Sequence, residues 1–378
     1  MSGEVPITIP KLKVFLTGGT GYIGGAILTT LLRSPDLEVT TLVRSESAIE
    51  TLTSPATNPK FFTGSTPKCV LGSLSDTDLL RRLASESDIV VNCASANDLA
   101  AVEALIQGLS ESGEARKKIF VHTSGTSAFA TFNNGDEAGR PFDDAEDLVE
   151  VLREWDEREQ YGHRTVTLRV VELGKEKGVS TYTVVPPTIY GQTTAIIPRL
   201  SVQFPPLIRT AIETKKAHYI GSGNAVWSNV HITDLANLYE LIIRRALSGI
   251  AKSGYDGIYF ASNGEKSWKD IAYAVKEAVE ALGGWDGGRV GSESWTVEDA
   301  AQIEGVNGVR DAKLAFGSKC VPNPFISESR VVNKGSISVI TVPTKALELG
   351  WKPAFGGEAV VESMKRDAIV LWKQFKGE

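Results

Sequence analysis

The residues most clearly spaced for chemistry are three glycines, Gly18, Gly21 and Gly24, and an arginine, Arg44, twenty positions after the last of them. The glycines form a G-x-x-G-x-x-G pattern that suits a turn holding a dinucleotide. The first turns the chain, the second admits a pyrophosphate against bare backbone, and the third lets a helix and a strand pack closely. The unpaired N–H groups of a following helix would then face the diphosphate. A ligand-free glycine turn is the alternative, but the apolar run before it and the helical spacing after it favour a dinucleotide.

Arg44 indicates which dinucleotide would bind. An acidic residue at this distance from the glycines would hydrogen-bond the ribose hydroxyls of NAD and repel a 2′-phosphate. This sequence instead has a guanidinium, with Ser45 and Ser47 as neighbouring donors. The sequence therefore predicts NADP(H) as the cofactor, and a solvated surface arginine is the alternative interpretation.

The elements that must position these residues alternate between short apolar runs and helical repeats, which is typical of a doubly wound sheet. After the run that precedes Gly18, the predicted strands cover residues 37–43, 68–71, 88–94, 119–123, 182–185 and 258–261, and the predicted helices include 99–109 and 268–282. The segment 45–66 is polar and is predicted to be irregular. The expected fold class is α/β, a Rossmann-type doubly wound parallel sheet with a smaller C-terminal α/β substrate lobe.

The domain organisation follows from the same pattern. Residues 1–190 are predicted to form the NADP-binding domain, with strands returning to it from about 225–262. Residues 191–378 are predicted to form mainly the substrate-binding lobe. Two prolines, Pro186 and Pro187, mark the boundary because they end a strand and force a turn towards the ligand crevice.

Composition excludes several classes of function. The chain of 378 residues has a net charge of −6 and no dense basic block, so nucleic-acid binding is not expected. No apolar run approaches the roughly 20 residues that span a bilayer, so no membrane partner is expected. The start has neither the basic nor the apolar region of a signal peptide, which predicts a cytoplasmic location. The three cysteines are far apart and are interpreted as small buried hydrophobes, and no Cys/His spacing suggests a metal site.

Several motifs in order resemble the extended, or atypical, short-chain dehydrogenase/reductases, which are epimerase/dehydratase-like proteins that bind NAD or NADP. The resemblance covers nearly the whole chain. It rests on residues 17–24 (TGGTGYIG), Asn92 at a strand end, 120–124 (FVHTS), 186–191 (PPTIYG), 230–234 (VHITD) and 349–353 (LGWKP). Such a set is specific for fold and cofactor but says less about the reaction.

The resemblance implies a Ser/Thr, a Tyr and a Lys four residues after the Tyr as the reacting groups. The phenol would exchange a proton with a substrate oxygen during hydride transfer, and the lysine would hold the ribose and lower the phenol pKa. The tyrosine position falls at or near Tyr161, but Thr165 occupies the lysine position and Gly125 the serine position. Ser124 and Thr126 are the nearest hydroxyls, so Tyr161, Ser124 and Thr126 are the predicted catalytic residues.

Each of these residues has a structural alternative. Tyr161 could simply anchor a helix start, and the hydroxyls of Ser124 and Thr126 could bond local backbone. For His231 a structural hydrogen bond is expected rather than general-base work, and Asp234 is interpreted as a helix cap.

The residues predicted to contact the cofactor come from the glycine turn and from the strand ends that follow it. They are Gly18, Thr20, Gly21, Tyr22, Ile23, Gly24, Arg44, Ser45, Leu74, Ala94, Ser95, Thr123, Pro186, Thr188 and Ile189.

The function expected is an NADP(H)-dependent oxidoreductase acting on a small organic carbonyl or alcohol substrate, with secondary metabolism as its expected context. A non-redox isomerase, epimerase or lyase that binds NADP(H) is one alternative, and an NADP(H)-sensing regulator is another. A small-molecule substrate is the expected partner, and the chain is expected to be a monomer or a homodimer.

Overall fold

A computed structural model of the chain describes residues 10–54, 65–113, 117–129, 141–158, 160–193, 195–283, 290–296 and 339–377. Strands of the described residues are β1 (Leu12–Thr17), β2 (Leu37–Val43), β3 (Lys68–Leu71), β4 (Ile89–Asn92), β5 (Ile119–Thr123), β6 (Phe142–Asp143), β7 (Ser180–Val185), β8 (Thr188–Tyr190), β9 (Lys216–Ile220), β10 (Val226–His231), β11 (Ile258–Phe260), β12 (Glu265–Ser267), β13 (Gly291–Trp295) and β14 (Thr341–Val342). Helices are α1 (Tyr22–Leu31), α2 (Glu46–Thr53), α3 (Thr77–Ser85), α4 (Leu99–Ser110), α5 (Leu148–Arg158), α6 (Gly162–Lys177), α7 (Phe204–Thr214), α8 (Ile232–Leu247), α9 (Trp268–Glu280), α10 (Thr344–Glu348) and α11 (Ala359–Lys376), with short 3₁₀ turns at Thr126–Phe129 and Gly254–Asp256.

Seven strands form one central sheet in the order β11-β7-β5-β4-β1-β2-β3, and all of its neighbouring pairs are parallel. The strand order changes direction between β1 and β4, which places a crevice at the carboxyl ends of these two strands. The expected Rossmann-type doubly wound α/β fold is confirmed.

Successive residues of a strand point to opposite faces, and β1 shows how this builds two apolar layers. Val14 and Leu16 pack with residues of α1 and α8 on one face. Phe15, on the other face, packs with residues of α3, α4 and α6. The strands in the middle of the sheet are therefore buried on both sides, which explains why β4 and β5 each begin with three consecutive apolar residues.

A second group of elements packs beside this sheet. Strands β8, β10 and β12 form a three-stranded sheet, and β9 pairs with β13. Residues of α7, α9 and α11 form an apolar cluster with strand residues such as Tyr190 and Trp227. The parts of the chain after residue 190 that approach the crevice belong to this second group of elements and to the loops between them.

The prediction that segment 45–66 is irregular was wrong in its first part, because residues 46–53 form α2. The hydroxyl oxygen of Ser45 accepts a hydrogen bond from the N–H of Ala48 over 3.3 Å, which caps the helix start. Only Leu52 of this helix is buried, so its apolar stripe is too narrow to be recognised from the sequence. Residues 55–64 lie outside the described part of the chain.

Within the described ranges, every helix is too short or too polar to cross a bilayer.

Candidate active site

The glycine turn between β1 and α1 can pack this closely only because two of its residues have no side chain. Gly18 has a φ of +80°, and a Cβ atom there would lie 2.9 Å from the backbone of Ala94. A Cβ atom at Gly24 would lie 2.1 Å from the carbonyl oxygen of Gly18. The N–H of Gly25 makes the first intrahelical bond, to the carbonyl of Gly21, so the N–H groups before it have no partner within the helix. The turn thus forms a cradle at the positive end of α1.

This cradle opens into a cavity of about 560 Å³ at the crevice between β1 and β4. Its wall combines turn backbone, small side chains and two guanidinium groups, from Gly18, Thr20, Gly21, Leu42, Arg44, Ser73, Leu74, Ser75, Cys93, Ala94 and Arg199. The Nε atom of Arg199 donates to the carbonyl oxygen of Thr20 over 3.3 Å. A closely packed glycine turn, a helix N-terminus and two cations fit an anionic dinucleotide.

Six of the predicted cofactor residues line the cavity: Gly18, Thr20, Gly21, Arg44, Leu74 and Ala94. Gly24, as described above, is the residue that lets α1 approach the turn. Sequence reasoning missed Leu42, Ser73, Ser75, Cys93 and Arg199, which also line it. Arg199 carries no local signal, because it meets Thr20 across 179 positions of the chain.

Several other predicted cofactor residues use their side chains for internal contacts. The Thr123 hydroxyl lies 2.6 Å from the Tyr239 hydroxyl, and the Ser95 hydroxyl oxygen accepts a bond from the N–H of Asn97 over 3.2 Å. The phenol of Tyr22 donates to the carbonyl of Gly191. These internal bonds orient the three side chains and use only part of the hydrogen-bonding capacity of each hydroxyl. For Ser45, the helix-capping bond described above engages the hydroxyl in the same way.

The last predicted cofactor residues differ from one another in exposure. Thr188 is buried, and its hydroxyl has no hydrogen-bond partner among the described residues. Ile189 is half-buried in β8, opposite Val230. The carbonyl oxygen of Pro186 accepts a bond from the N–H of Thr126 over 3.1 Å. Ile23, in the first turn of α1, is half-buried and packs against the apolar layer.

A buried polar chain joins the carboxyl ends of three strands beneath the crevice. The Thr17 hydroxyl donates to Asn92 Oδ1 over 2.6 Å, and Asn92 Nδ2 donates to His122 Nδ1 over 3.2 Å. Burial, with a smaller contribution from His163, lowers the pKa of His122 to about 3. His122 is therefore neutral, which suits a fixed acceptor rather than a proton carrier.

The position expected for a lysine is occupied by a side chain with a different task. The Thr165 hydroxyl donates to the Asp156 carboxylate over 3.0 Å, and the N–H of Tyr161 donates to the same carboxylate over 3.0 Å. These bonds tie the start of α6 to α5.

The nearest cations do not replace that lysine either. Arg164 is 1% exposed, and its Nε donates to the carbonyl of Ala128 over 2.6 Å. Its guanidinium carbon lies 5.6 Å from the centre of the Tyr161 ring. Lys175 stacks over the ring of Tyr255, near the other end of α6.

The predicted catalytic residues lie around the start of α6 and the turn after β5. Ser124 is buried, and its hydroxyl oxygen accepts a bond from the Thr167 hydroxyl over 2.9 Å. Thr126 is 2% exposed, whereas Tyr161 is half-buried at the N-cap of α6. One close pair in this region had not been predicted: Ser127 Oγ and His163 Nδ1 lie 2.6 Å apart.

His231 behaves as expected, whereas Asp234 does not. His231 Nδ1 accepts a bond from the N–H of Thr233 over 3.2 Å, which caps α8. The prediction that Asp234 caps this helix was wrong. Its carboxylate accepts the N–H groups of Ala354 and Phe355 over 3.0 and 2.9 Å, because the segment after Trp351 packs against α8.

Comparisons with known proteins agree with this arrangement. Residues 14–255 match the model described as the NAD dependent epimerase/dehydratase family. The chain is 31% identical to the oxidase ucsJ of an Acremonium species over 306 residues, which cover 77% of this chain and 85% of that protein. It is 23% identical to the 4-hydroxy-2-methyl-3-oxo-4-farnesyl-3,4-dihydroquinoline-1-oxide ketoreductase of Stigmatella aurantiaca over 266 residues, which cover 67% of this chain and 69% of that protein. UDP-glucuronic acid 4-epimerase from Bacillus cereus, solved with UDP-glucuronic acid and NAD, shares the fold at 13% identity and a TM-score of 0.58, over 95% of this chain and 100% of that one.

Proposed function

Because the chain belongs to the NAD dependent epimerase/dehydratase family, we propose that it is an NADP(H)-dependent oxidoreductase that interconverts a small organic carbonyl compound and its alcohol. Membership of this family confirms the resemblance expected from the sequence. The observation that carries the finer proposal is the cavity in which Arg44 and Arg199 flank the glycine cradle. Two relatives named for redox chemistry, an oxidase and a ketoreductase, support the reaction type.

The preference for the phosphorylated cofactor rests on Arg44. It directly follows β2, is exposed and lines the cavity beside Leu42. A guanidinium at this position can bind a 2′-phosphate through two parallel hydrogen bonds, and the described residues that line the cavity include no carboxylate that would repel that phosphate.

The residues proposed to hold the cofactor and those proposed to face the substrate belong mainly to different parts of the chain. The glycine turn, Arg44, Arg199, Leu74 and Ala94 hold the dinucleotide, with backbone contributions from the strand ends. A bound nicotinamide would supply or accept the hydride, and the chain's own task is to orient the substrate and to move a proton to or from its oxygen. Residues 1–190 serve the nucleotide, residues 191–378 mainly enclose the substrate, and Tyr161, Ser124 and Thr126 belong to the substrate end.

A second candidate is a non-redox isomerase or epimerase that keeps its nicotinamide through the cycle. The observation that favours it is the Thr165–Asp156 bond, which leaves the expected lysine position without a cation. A structural neighbour that is an epimerase supports the same possibility at the level of the fold.

The test is to measure NADPH and NADH binding by calorimetry and then to follow NADPH absorbance with a panel of aldehydes and ketones. Oxidation of NADPH in step with alcohol formation is the expected result. Binding of NADPH with no oxidation by any carbonyl, but with conversion of an added sugar nucleotide or hydroxyketone, would favour the isomerase. Failure to bind either dinucleotide would overturn both.

A further inference from the structure

The position where relatives of this chain are expected to carry a catalytic serine holds Gly125, and the space beside it is filled by an imidazole. A Cβ atom at Gly125 would lie 3.3 Å from two ring atoms of His163 and 3.7 Å from Ser127 Oγ. A serine at 125 would therefore crowd the ring of His163. The glycine is what allows His163 to approach Ser127 to 2.6 Å.

The Ser127–His163 pair lies at the carboxyl ends of the central strands, the end of the sheet that also carries the glycine cradle. Ser127 belongs to the 3₁₀ turn after β5, and the N–H of Thr126 fixes that turn to Pro186 at the end of β7. The start of α6 lies against the loop after β4, since a Cβ atom at Gly162 would lie 2.8 Å from Asn97 Oδ1. The pair thus sits between the carboxyl ends of β4, β5 and β7, where doubly wound sheets bind their ligands.

Three other polar groups of this region make hydrogen bonds within the protein. Thr165 donates to Asp156, and Arg164 donates to the carbonyl of Ala128. Ser124 accepts a bond from Thr167. Ser127 and His163 combine a hydroxyl with a group that ordinarily changes charge near neutral pH, and they do so 2.6 Å apart.

We propose that Ser127 and His163 form the proton-donating pair of the reductase assigned above, in place of a Tyr–Lys pair. Ser127 contacts the substrate oxygen, and His163 supplies the proton through Nδ1. The proposal rests on the proposed function, because it needs a reduced nicotinamide as the hydride source.

The proton movements balance in the direction of reduction. The carbonyl carbon accepts a hydride from reduced nicotinamide, which becomes oxidised, and the π electron pair moves to the carbonyl oxygen. That oxygen takes the hydroxyl proton of Ser127, and Ser127 Oγ takes the Nδ1 proton of the protonated imidazole. The products are the alcohol and a neutral His163, which a proton from solvent recharges.

The kinetic test compares Ser127→Ala, His163→Gln and Tyr161→Phe with the unaltered protein. Proton donation by a side chain accelerates reactions by about 10²–10⁴-fold, so S127A and H163Q are expected to lose at least about a hundredfold in kcat while the affinity for NADPH stays the same. Gln at 163 can still hydrogen-bond Ser127, so retained activity in H163Q would mean that the bond is only structural. If kcat falls a hundredfold in Y161F while H163Q keeps a near-normal kcat, the Tyr161 phenol is the proton donor and the proposal is overturned.

His218→Gln is the matched control, because His218 Nε2 lies 3.0 Å from the Thr214 hydroxyl and His218, on β9, does not line the cavity. It removes a histidine from a similar histidine–hydroxyl contact, and kcat is expected to stay within about twofold of the unaltered protein.

A second readout is independent of cofactor and substrate. Imidazole nitrogen NMR resolves the four histidines, and the H163Q spectrum identifies the signal of His163. Among the described residues, the titratable and charged groups near this ring include Tyr161 at the N-cap of α6, Arg164 next to His163 in the sequence and His122 on β5. The proposal expects the ring to titrate between about pH 5 and 9 and expects S127A to move its midpoint.

If the charge of the His163 ring does not change across that range, or if its titration midpoint is the same in S127A, the proposed pair is overturned even if the protein reduces carbonyls. A ring that titrates and responds to S127A, in a protein that binds NADPH but reduces nothing, refutes the reductase and with it this donor role.

Discussion

Arg199 Nε lies 3.3 Å from the carbonyl oxygen of Thr20, so a cation from the segment before α7 reaches the rim of the glycine turn. The carbonyl holds the guanidinium beside the N-terminus of α1. Without this cation, a diphosphate at that helix end would be held by backbone N–H groups alone. Arg199 thus adds a positive charge next to the backbone N–H groups of the glycine turn, and Arg44 is the second cation of the cavity wall.

Arg199→Gln is expected to weaken the binding of NADPH and of NADH by a similar factor, because both dinucleotides carry the same diphosphate. The expected loss is about tenfold for each, which corresponds to about 1.4 kcal/mol of binding free energy. Calorimetric titration with both nucleotides measures this. Arg209→Gln serves as the control, since Arg209 is an exposed arginine on α7 that does not line the cavity. Unchanged affinity in R199Q would place the diphosphate elsewhere.

Arg44→Ala is expected to weaken the binding of NADPH and to leave the binding of NADH unchanged. The 2′-phosphate is the single difference between the two nucleotides, and an exposed charge-assisted contact contributes about 1–2 kcal/mol. NADPH should therefore bind about ten times more weakly in R44A, while NADH should bind as before. Equal losses for both nucleotides would mean that Arg44 does not contact the 2′-phosphate, and tighter binding of NADH by the unaltered protein would contradict the NADP(H) preference.

The contrast between Arg44 and Arg199 shows which parts of the site the sequence could predict. Arg44 and the glycine triplet lie within one strand–turn–helix–strand unit, so their spacing alone relates them to one ligand. The apolar runs of β4 and β5 were equally readable, because strands buried on both faces carry no polar alternation.

What could not be predicted depends on contacts between distant segments. Arg199 meets Thr20 across 179 positions of the chain, and a side chain at Gly125 would crowd the His163 ring of the Ser127–His163 pair. The Asp234 carboxylate resembled a helix cap in sequence, but its N–H donors, at Ala354 and Phe355, lie more than a hundred positions later. Local patterns hold no information about such partners.

Gly24→Ala tests the close approach of α1 to the turn. The added methyl group would lie 2.1 Å from the Gly18 carbonyl oxygen, so either the helix or the cradle must move. Overpacking of this kind costs about 1–3 kcal/mol, and we expect a lower melting temperature together with weaker binding of both dinucleotides. Gly356→Ala is the control, because a Cβ atom there meets no atom within 4 Å and its stability should change by less than about 0.5 kcal/mol. Normal cofactor affinity in G24A would show that the cradle does not depend on this contact.

Two buried carboxyl groups predict how stability depends on pH. Burial raises the pKa of both Asp367 and Asp144 from 3.8 to about 6, with smaller opposing effects of Gln192 at Asp367 and of two backbone N–H groups at Asp144. Each folded pKa lies above the unfolded value, so the stabilising effect of protonation is fully present below about pH 4 and is lost as the pH rises through 6. The two residues differ in their partners. Asp144 accepts the N–H groups of Phe260 and Lys345, whereas Asp367 accepts no backbone N–H group among the described residues.

Asp367→Asn is therefore expected to make the protein more stable than the unaltered chain at about pH 8, by up to about 3 kcal/mol at 1.36 kcal/mol per pH unit, with the gain shrinking towards about pH 4. Asp144→Asn serves as the comparison. It removes a charge with the same raised pKa but also replaces an acceptor of two backbone bonds, so it should be less stable than the unaltered chain at low pH, where both carboxyl groups are protonated. Urea unfolding at several pH values gives the free energy of unfolding for all three proteins. A difference between D367N and the unaltered chain that stays constant from about pH 4 to 8 would mean that the Asp367 carboxyl has the same pKa folded and unfolded.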